Sequence, residues 1–578
     1  MKIVIAKSAG FCMGVRRAVD LALESANKEQ GPIYTFGPLI HNPQVLALLA
    51  DKGVKRLAEI PNQGNGTVIL RAHGVPPESR DALKNAGFQV IDATCPRVIK
   101  VQAIIKEHAR KGYAIIIVGD KDHPEVVGLQ GYAGADGHVA ADMADLGQLP
   151  VFEKAIVVAQ TTQNTSLYQQ IKKWVSDKHP HYKVFDTICD STEKRQNEVR
   201  QLAQEADAVV VVGGHSSGNT QRLAEMARQS GKPAFAIETE AELDPSKLAN
   251  AKRIVLTAGA STPNWITNRV YRAIERIPNI HQSRLRHLVF NSQRVLLLTS
   301  IYVALGAGCL CYACNKLQGI GNHLPYLIMS VLYVLSMHLL NNLTGHKSDR
   351  YKDPDRARFY LHHQLSLGLL AVFAGGAGLA TAYTLGKQPF MILLIMTLTG
   401  LLYNVPLLPR RTDQVRIRKI RDIPGSKTVL IAAAWGIVTA LFPALSNNGA
   451  VSASAVLVFI WAGGMVFVRT AFFDILDMQG DRIVGRETIP ILLGEKKTVS
   501  LLKAALVFLV LLLLAGSLGR LISPLGAILA ICPALLFIVV VVHERGYMHP
   551  STRLEFIVET HFVLAGALSL LWSSWSVI

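Results

Sequence analysis

The pattern of apolar and polar positions changes character near residue 290 of this 578-residue chain. Before that point apolar residues come in runs of about 5–8, the length of a buried strand, separated by segments of helical periodicity. The runs Ile3–Ala6, Val68–Arg71, Val90–Asp92, Ala114–Val118, Ile156–Ala159, Val209–Val212 and Ile254–Thr257 read as strands. Val15–Ala26, Arg97–Lys111 and Glu193–Glu205 read as helices between them. Strands alternating with helices predict an α/β fold with largely parallel sheets. The length of this half allows one, two or three subdomains, and no internal repeat stands out in its sequence.

Beyond residue 290 the apolar runs lengthen to about 20, enough to cross a bilayer as helix. Nine spans are predicted, at 292–313, 323–340, 364–386, 388–408, 427–445, 453–473, 501–519, 524–542 and 557–576. The chain therefore divides into residues 1–278, a linker over 279–290, and a polytopic all-α membrane domain over 291–578. Met1-Lys2 runs straight into a strand with no apolar leader segment, so the first half is expected in the cytoplasm.

Mean hydropathy is +0.27, an average over two unlike halves. The net charge of +18 would by itself raise nucleic acid as a partner. Much of that charge lies between apolar spans, as in Arg410-Arg411 and Arg416-Ile417-Arg418-Lys419-Ile420-Arg421. The positive-inside rule explains this placement, puts the basic loops on the cytoplasmic side, and leaves no reason to expect nucleic acid. The expected location is a bacterial inner membrane.

Seven cysteines are present. Cys309, Cys311, Cys314 and Cys532 lie in apolar spans and read as small membrane-helix residues. Cys12, Cys95 and Cys189 each follow a strand, where open α/β sheets collect their ligands. Their spacing fits neither a zinc ribbon nor a ferredoxin. Buried structural thiols, a catalytic thiol, zinc, and a [4Fe–4S] cluster with one open iron all remain compatible with it. Other polar groups recur at strand ends: Ala72-His73-Gly74, His123-Pro124-Glu125, Gln160-Thr161-Thr162, Ser217-Gly218-Asn219 and Thr257-Ala258-Gly259-Ala260-Ser261. Their recurrence predicts several sheets converging on one polar site.

Gly10-Phe11-Cys12-Met13-Gly14-Val15, Ala72-His73-Gly74-Val75, Asp92-Ala93-Thr94-Cys95-Pro96, His123-Pro124-Glu125-Val126, Gln160-Thr161-Thr162 and Thr257–Ser261 together resemble the LytB/IspH family, in motif order over residues 1 to about 278. That family reduces 4-hydroxy-3-methylbut-2-enyl diphosphate, the last step of the methylerythritol phosphate route to isoprenoids. The resemblance implies three α/β lobes around a [4Fe–4S] cluster held by Cys12, Cys95 and Cys189. It implies that Glu125 delivers protons and that Thr161 helps hold the substrate hydroxyl. It gives the diphosphate to His41, His73, Ser217, Asn219 and Ser261, with His123 beside it. It also implies a one-electron donor such as ferredoxin or flavodoxin. The family usually has Ser-Ser-Asn where this chain reads Ser217-Gly218-Asn219; a hydroxyl is lost at Gly218 while its backbone N–H remains. His215 matches no family site.

In the membrane half, Asp474-Ile475-Leu476-Asp477-Met478-Gln479-Gly480-Asp481 lies at the cytoplasmic end of the sixth span. Spacings of three and four put Asp474, Asp477 and Asp481 on one helical face, where carboxylates suit Mg²⁺. With Gly485–Gly494 and the nine spans, this half resembles the UbiA family of intramembrane prenyltransferases, whose acceptors include membrane lipids. The family's first metal motif reads Asn-Asp-x-x-Asp-x-x-x-Asp. Here it is Asn341-Asn342-Leu343-Thr344-Gly345-His346-Lys347-Ser348-Asp349. Asn341 and Asp349 keep their identities, whereas Asn342 and Gly345 replace two carboxylates. The leading expectation is a reductase fused to a membrane prenyltransferase, and the alternative makes the membrane half a non-catalytic anchor.

Overall fold

The computed structural model describes residues 1–28, 31–278, 284–321, 323–403, 420, 423–484 and 486–575. The chain forms two compact units, Met1–Gln282 and Ser283–Ile578.

Twelve strands of the first unit form three four-stranded sheets with every pairing parallel. The strands are β1 Lys2–Ile5, β2 Ile33–Phe36, β3 Val54–Leu57, β4 Thr67–Leu70, β5 Gln89–Asp92, β6 Ala114–Val118, β7 Gly137–Ala140, β8 Ala155–Ala159, β9 Lys183–Val184, β10 Ala208–Val212, β11 Ala234–Ile237 and β12 Arg253–Ala258. Their orders are β3-β2-β4-β5, β7-β6-β8-β9 and β11-β10-β12-β1. In each sheet the second strand in chain order lies outermost, then the first, the third and the fourth. The last sheet obeys this rule only when β1 is counted as its fourth strand. The fold is therefore an internal threefold repeat whose final strand comes from the chain's amino end. That permutation hides the repeat from a linear reading, which expected none. Central strands β4, β8 and β10 are buried at every position, because helices cover both faces of a parallel sheet.

The helix after each thiol crosses to a neighbouring lobe. Pro96–Ala109, which follows Cys95, packs Val98, Val101 and Ile105 against Ile115, Ile117 and Val158 of the β6–β9 lobe. Asp190–Gln204, which follows Cys189, packs Val199 and Ala203 against Val209, Val211 and Val255 of the lobe containing β10 and β12. From Met13–Lys28, Arg17 donates to the carbonyls of Thr94 (3.1 Å) and Asp92 (3.3 Å) in the β2–β5 lobe.

The second unit is helical. Seven of its described helices are long and apolar enough to cross a membrane: Leu324–Thr344, Gln364–Leu385, Ser426–Ser446, Ala453–Leu476, Glu495–Leu518, Leu525–Glu544 and Thr552–Trp575. Nine were expected, and two differ. The expected first span over 292–313 straddles two helices, Arg284–Leu298 and Ile301–Gln318, set at 77°. Ser300 between them adopts φ 58°, so the chain turns there. The expected fourth is the short helix Lys387–Leu402, about 24 Å at 1.5 Å per residue and below the roughly 30 Å of a hydrocarbon core. Residues 284–290, expected as linker, open the helix Arg284–Leu298. The basic run from Arg410 lies outside the described residues, apart from Ile420.

Charge is also buried inside this bundle. Arg469 donates through Nε (2.9 Å) and Nη2 to one oxygen of Glu559, and both side chains are buried. The guanidinium also lies over the rings of Phe473 and Trp435. Removing one partner strands the other charge, whereas removing both does not. Glu559→Leu is expected to destabilise the bundle by about 3–5 kcal/mol. Thermal unfolding in detergent should show Arg469→Met/Glu559→Leu recovering most of that loss.

Candidate active site

Each lobe presents three loops from the carboxyl ends of its strands. The first-strand loops carry His41 after β2, His123 after β6, and Ser217-Gly218-Asn219 after β10. The third-strand loops carry His73 after β4, Thr161 after β8, and Ser261 after β12. The fourth strands lead to Cys95, Cys189 and Cys12. The outermost strands β3, β7 and β11 contribute none of the expected site residues.

Backbone hydrogen bonds repeat this order. The N–H groups of Cys12, Cys95 and Cys189 donate to the carbonyls of Ala260 (3.1 Å), Ala72 (2.9 Å) and Thr161 (2.9 Å), each in the third-strand loop of the same lobe. The third-strand loops donate in turn to the first: Ala72 to Leu39, Gln160 to Val118, and Gly259 to Val212. Ser261 Oγ joins two lobes by donating to the carbonyl of His41 at 3.0 Å.

The three thiols are half-buried and unpaired by disulfides, and each precedes the first turn of a helix. Burial pushes the Cys95 thiol up, and the nearby Cys12 and Cys189 push it further. Cys12 and Cys189 therefore both lie within electrostatic reach of Cys95. Gly14 leaves the space that Cys95 occupies: a Cβ on it would lie 2.9 Å from the Cβ of Cys95 and closer still to its sulfur. Three sulfur donors brought together at three helix starts, one of them seated against Gly14, fit a cluster with three cysteine ligands.

The imidazoles of His41, His73 and His123 form a second group. Ring centroids are 4.6 Å apart for His41 and His73, and each lies 5.4 Å from that of His123. Burial lowers the pKa of all three, that of His123 to about 4 and that of His73 well below its ordinary value. They are therefore neutral at pH 7. His123 Nδ1 accepts from the N–H of Glu125 at 3.1 Å, which leaves Nε2 to carry the proton. His41 Nε2, His73 Nδ1 and Asn219 Nδ2 are buried with no hydrogen-bond partner among the described residues. Unmet polar atoms at one site fit a ligand rich in oxygen acceptors. Arg71 supplies fixed positive charge felt by all three histidines, and its Nε donates to the carbonyl of Gly74 at 2.9 Å.

Glu125 is 2% exposed. Its carboxyl accepts from Thr161 N–H at 2.6 Å and from Thr161 Oγ1 at 2.9 Å. Burial outweighs these bonds and lifts its pKa to about 7. Ser217 caps the helix Gly218–Gln229, where Oγ accepts from Thr220 N–H at 3.4 Å. A Cβ on Gly218 would meet Arg222 Nη1 at 3.3 Å. Arg222 grips both carboxylate oxygens of Asp120, at 2.8 and 2.7 Å, and donates to the carbonyl of Thr162. His215 is exposed and pairs with Glu242 at 2.8 Å. Sequence reading missed Arg71 and Arg222, since one arginine in a charged domain carries no local signal.

In the membrane unit the expected acidic face is broken. The helix Ala453–Leu476 ends before Asp477 and a second helix, Met478–Val484, begins after it. Asp477 is consequently exposed, while Asp474 and Asp481 are buried. Asp474 accepts from Lys427 Nζ at 3.0 Å and from Thr428 Oγ1 at 2.7 Å. Asp481 faces Arg486 at 3.9 Å. Asn341 is exposed; Asn342 donates to Tyr360 Oη at 2.9 Å and to Ser300 Oγ at 3.4 Å. Asp349 belongs to the helix Leu324–Lys352, which touches Met478–Val484, but its side chain lies outside the described residues.

The first unit is thus a three-lobed α/β protein with a thiol, imidazole and carboxyl site. The LytB protein family model matches residues 3–275, and the UbiA prenyltransferase family model matches residues 299–558. The 4-hydroxy-3-methylbut-2-enyl diphosphate reductase of Geobacter sulfurreducens is 45% identical over 280 residues, covering 48% of this chain and 99% of that protein. A solved reductase of the same name is 42% identical over 48% of this chain and all of its own, at a TM-score of 0.38. A UbiA homologue from Aeropyrum pernix is 17% identical and covers 47% of this chain and 98% of its own, at a TM-score of 0.37. The chain belongs to the LytB family, and its second half carries a UbiA-type membrane domain.

Gly14→Ala tests the space reserved for Cys95. The new methyl must displace the thiol, and overpacking of this kind costs about 1–3 kcal/mol. Purified protein is expected to unfold at lower temperature and to carry less iron than the unaltered chain.

Proposed function

We propose that residues 1–278 remove the hydroxyl of 4-hydroxy-3-methylbut-2-enyl diphosphate, consuming two electrons and two protons and giving isopentenyl or dimethylallyl diphosphate and water. Support comes chiefly from one arrangement: the protonatable Glu125–Thr161 pair, three neutral imidazoles and three thiols all lie on loops at the carboxyl ends of parallel strands. A [4Fe–4S] cluster on Cys12, Cys95 and Cys189 would supply electrons and a Lewis-acidic iron, recharged by a ferredoxin or flavodoxin.

The chain's own groups divide the remaining work. His41, His73, His123 and Asn219 have N–H donors for diphosphate oxygens, Ser217 and Ser261 offer hydroxyls, and Gly218 offers its backbone N–H. Arg71 adds charge attraction. Thr161 orients Glu125 by two hydrogen bonds and presents its own hydroxyl beside the carboxyl. Glu125, with its pKa near 7, holds a proton at neutral pH and can release it to a leaving hydroxyl.

Turnover that needs protonated Glu125 is present below the raised pKa and falls as pH rises through about 7. Glu125→Gln is expected to lower kcat by about 10²–10⁴-fold with little change in KM. A pH profile of kcat with a dithionite-reduced mediator checks both statements, and a variant within twofold of the unaltered enzyme would remove Glu125 from the proton path.

For the membrane unit we propose prenyl transfer from an isoprenoid diphosphate to a membrane-soluble acceptor, with the reductase unit in the cytoplasm of a bacterial cell and the bundle in its inner membrane. Asp474, Asp477, Asp481, Asn341 and Asp349 would hold Mg²⁺ through oxygen donors. Lys427 and Arg486, which contact Asp474 and Asp481, would add charge for the diphosphate. The anchor reading is favoured by Asn342, whose amide is engaged by Tyr360 and Ser300. Asp477→Asn is expected to abolish prenylation of extracted lipid supplied with labelled geranylgeranyl diphosphate. Absence of product from both the variant and the unaltered chain supports the anchor.

A further inference from the structure

The helix Asp190–Gln204 that starts at Cys189 carries an arginine six residues beyond the thiol. Arg195 is 3% exposed. Its Nη1 donates to the carbonyl of Ala258 at 3.0 Å and its Nη2 to the carbonyl of Gly10 at 2.6 Å. Gly10 lies two residues before Cys12. Ala258 lies two residues before Ala260, whose carbonyl accepts the N–H of Cys12. The guanidinium therefore ties the Cys189 helix to both strands of the loop pair that presents Cys12.

Among the described residues no carboxylate is bonded to its charge. Glu198, one turn further along the helix, accepts from the backbone of Lys7 (2.7 Å) and Ser8 (2.9 Å) and from the Ser8 hydroxyl. Both bonds of Arg195 go to carbonyl oxygens, and its Nε has no partner among the described residues. A buried cation in that condition is costly unless anions lie close by. Besides Glu198, the acidic groups within electrostatic reach of Arg195 are the thiols of Cys12 and Cys189.

We infer that Arg195 is the counter-cation of the thiolate site: it positions the Cys12 loop and raises the reduction potential of the iron–sulfur centre. This rests on the three cysteines being cluster ligands. Reduction adds one electron, and so one negative charge, to the centre. A fixed positive charge nearby favours that reduced form, as net charge and buried surroundings do for such clusters generally. Arg195 is a positioning residue, since its hydrogen bonds among the described residues go to the carbonyls of Ala258 and Gly10 and to none of His41, His73, His123 or Glu125.

The test is an anaerobic potentiometric titration of the full chain with dithionite and viologen mediators, read by electron paramagnetic resonance, with iron and sulfide measured on each sample. Arg195→Met is expected to keep its iron and to lower the equilibrium constant for reduction by about tenfold, equal to about 59 mV for a one-electron couple. Arg195→Lys keeps the charge and is expected to stay within about threefold of the unaltered chain. If the Met variant sheds its iron, Arg195→Gln, which keeps a donor without the charge, takes its place in the titration. An unchanged midpoint in an iron-replete neutral variant overturns the inference. So does equal loss of iron from the Lys, Gln and Met variants, because shape rather than charge would then be at work. Absence of iron from the unaltered chain is a separate result, and it refutes the cluster reading itself.

Discussion

Parallel pairing puts the carboxyl ends of all strands at one edge of a sheet, and each strand must then leave that edge through a loop. In the reductase unit this constraint acts three times over. Three sheets with the same strand order deliver nine loops, and the loops are linked to one another by a repeating set of backbone hydrogen bonds. The thiols come from fourth strands, and most of the polar ligands come from first and third strands. Chemistry that no single lobe contains is assembled by repetition: three sulfurs from three lobes, and imidazoles from two of them with a serine-rich loop from the third.

Burial then fixes the character of each group. The same loss of water that keeps His41, His73 and His123 neutral also keeps Glu125 protonated to about pH 7. Neutral imidazoles can donate to an anion without holding it as a permanent ion pair, and a protonated carboxyl can act as an acid. Fixed charge is left to arginines: Arg71 beside the histidines, Arg222 on Asp120, and Arg195 beside the thiols. Each arginine donates to a backbone carbonyl, so its charge is held by the fold.

Much of this was legible in the sequence, and the gaps have physical causes. Strand ends followed by His, Cys, Thr or Ser were readable because fully buried parallel strands are continuous apolar runs. Strands β2, β3, β7 and β11 were not read. Val54–Leu57 lies at a sheet edge and carries Lys55 and Arg56 on exposed positions, so neither period nor composition marks it, while the internal Ile33–Phe36 is short and interrupted by Thr35. The repeat was invisible because its last strand is the first in the chain. In the membrane unit the hydrophobic runs located the helices, but hydropathy cannot show the turn at Ser300 or the break at Asp477. Those depend on backbone geometry and on partners such as Lys427 that lie far away in sequence.

Cys12, Cys95 and Cys189 are proposed to hold one iron–sulfur centre facing the diphosphate site. Anaerobic purification of the full chain, followed by iron and sulfide analysis and a turnover assay with 4-hydroxy-3-methylbut-2-enyl diphosphate, tests it most directly. About four irons per chain, lost on changing any one of the three cysteines to serine together with dehydroxylation, is the predicted result. Protein that binds no iron, or that reduces the substrate equally well without these thiols, would contradict the account.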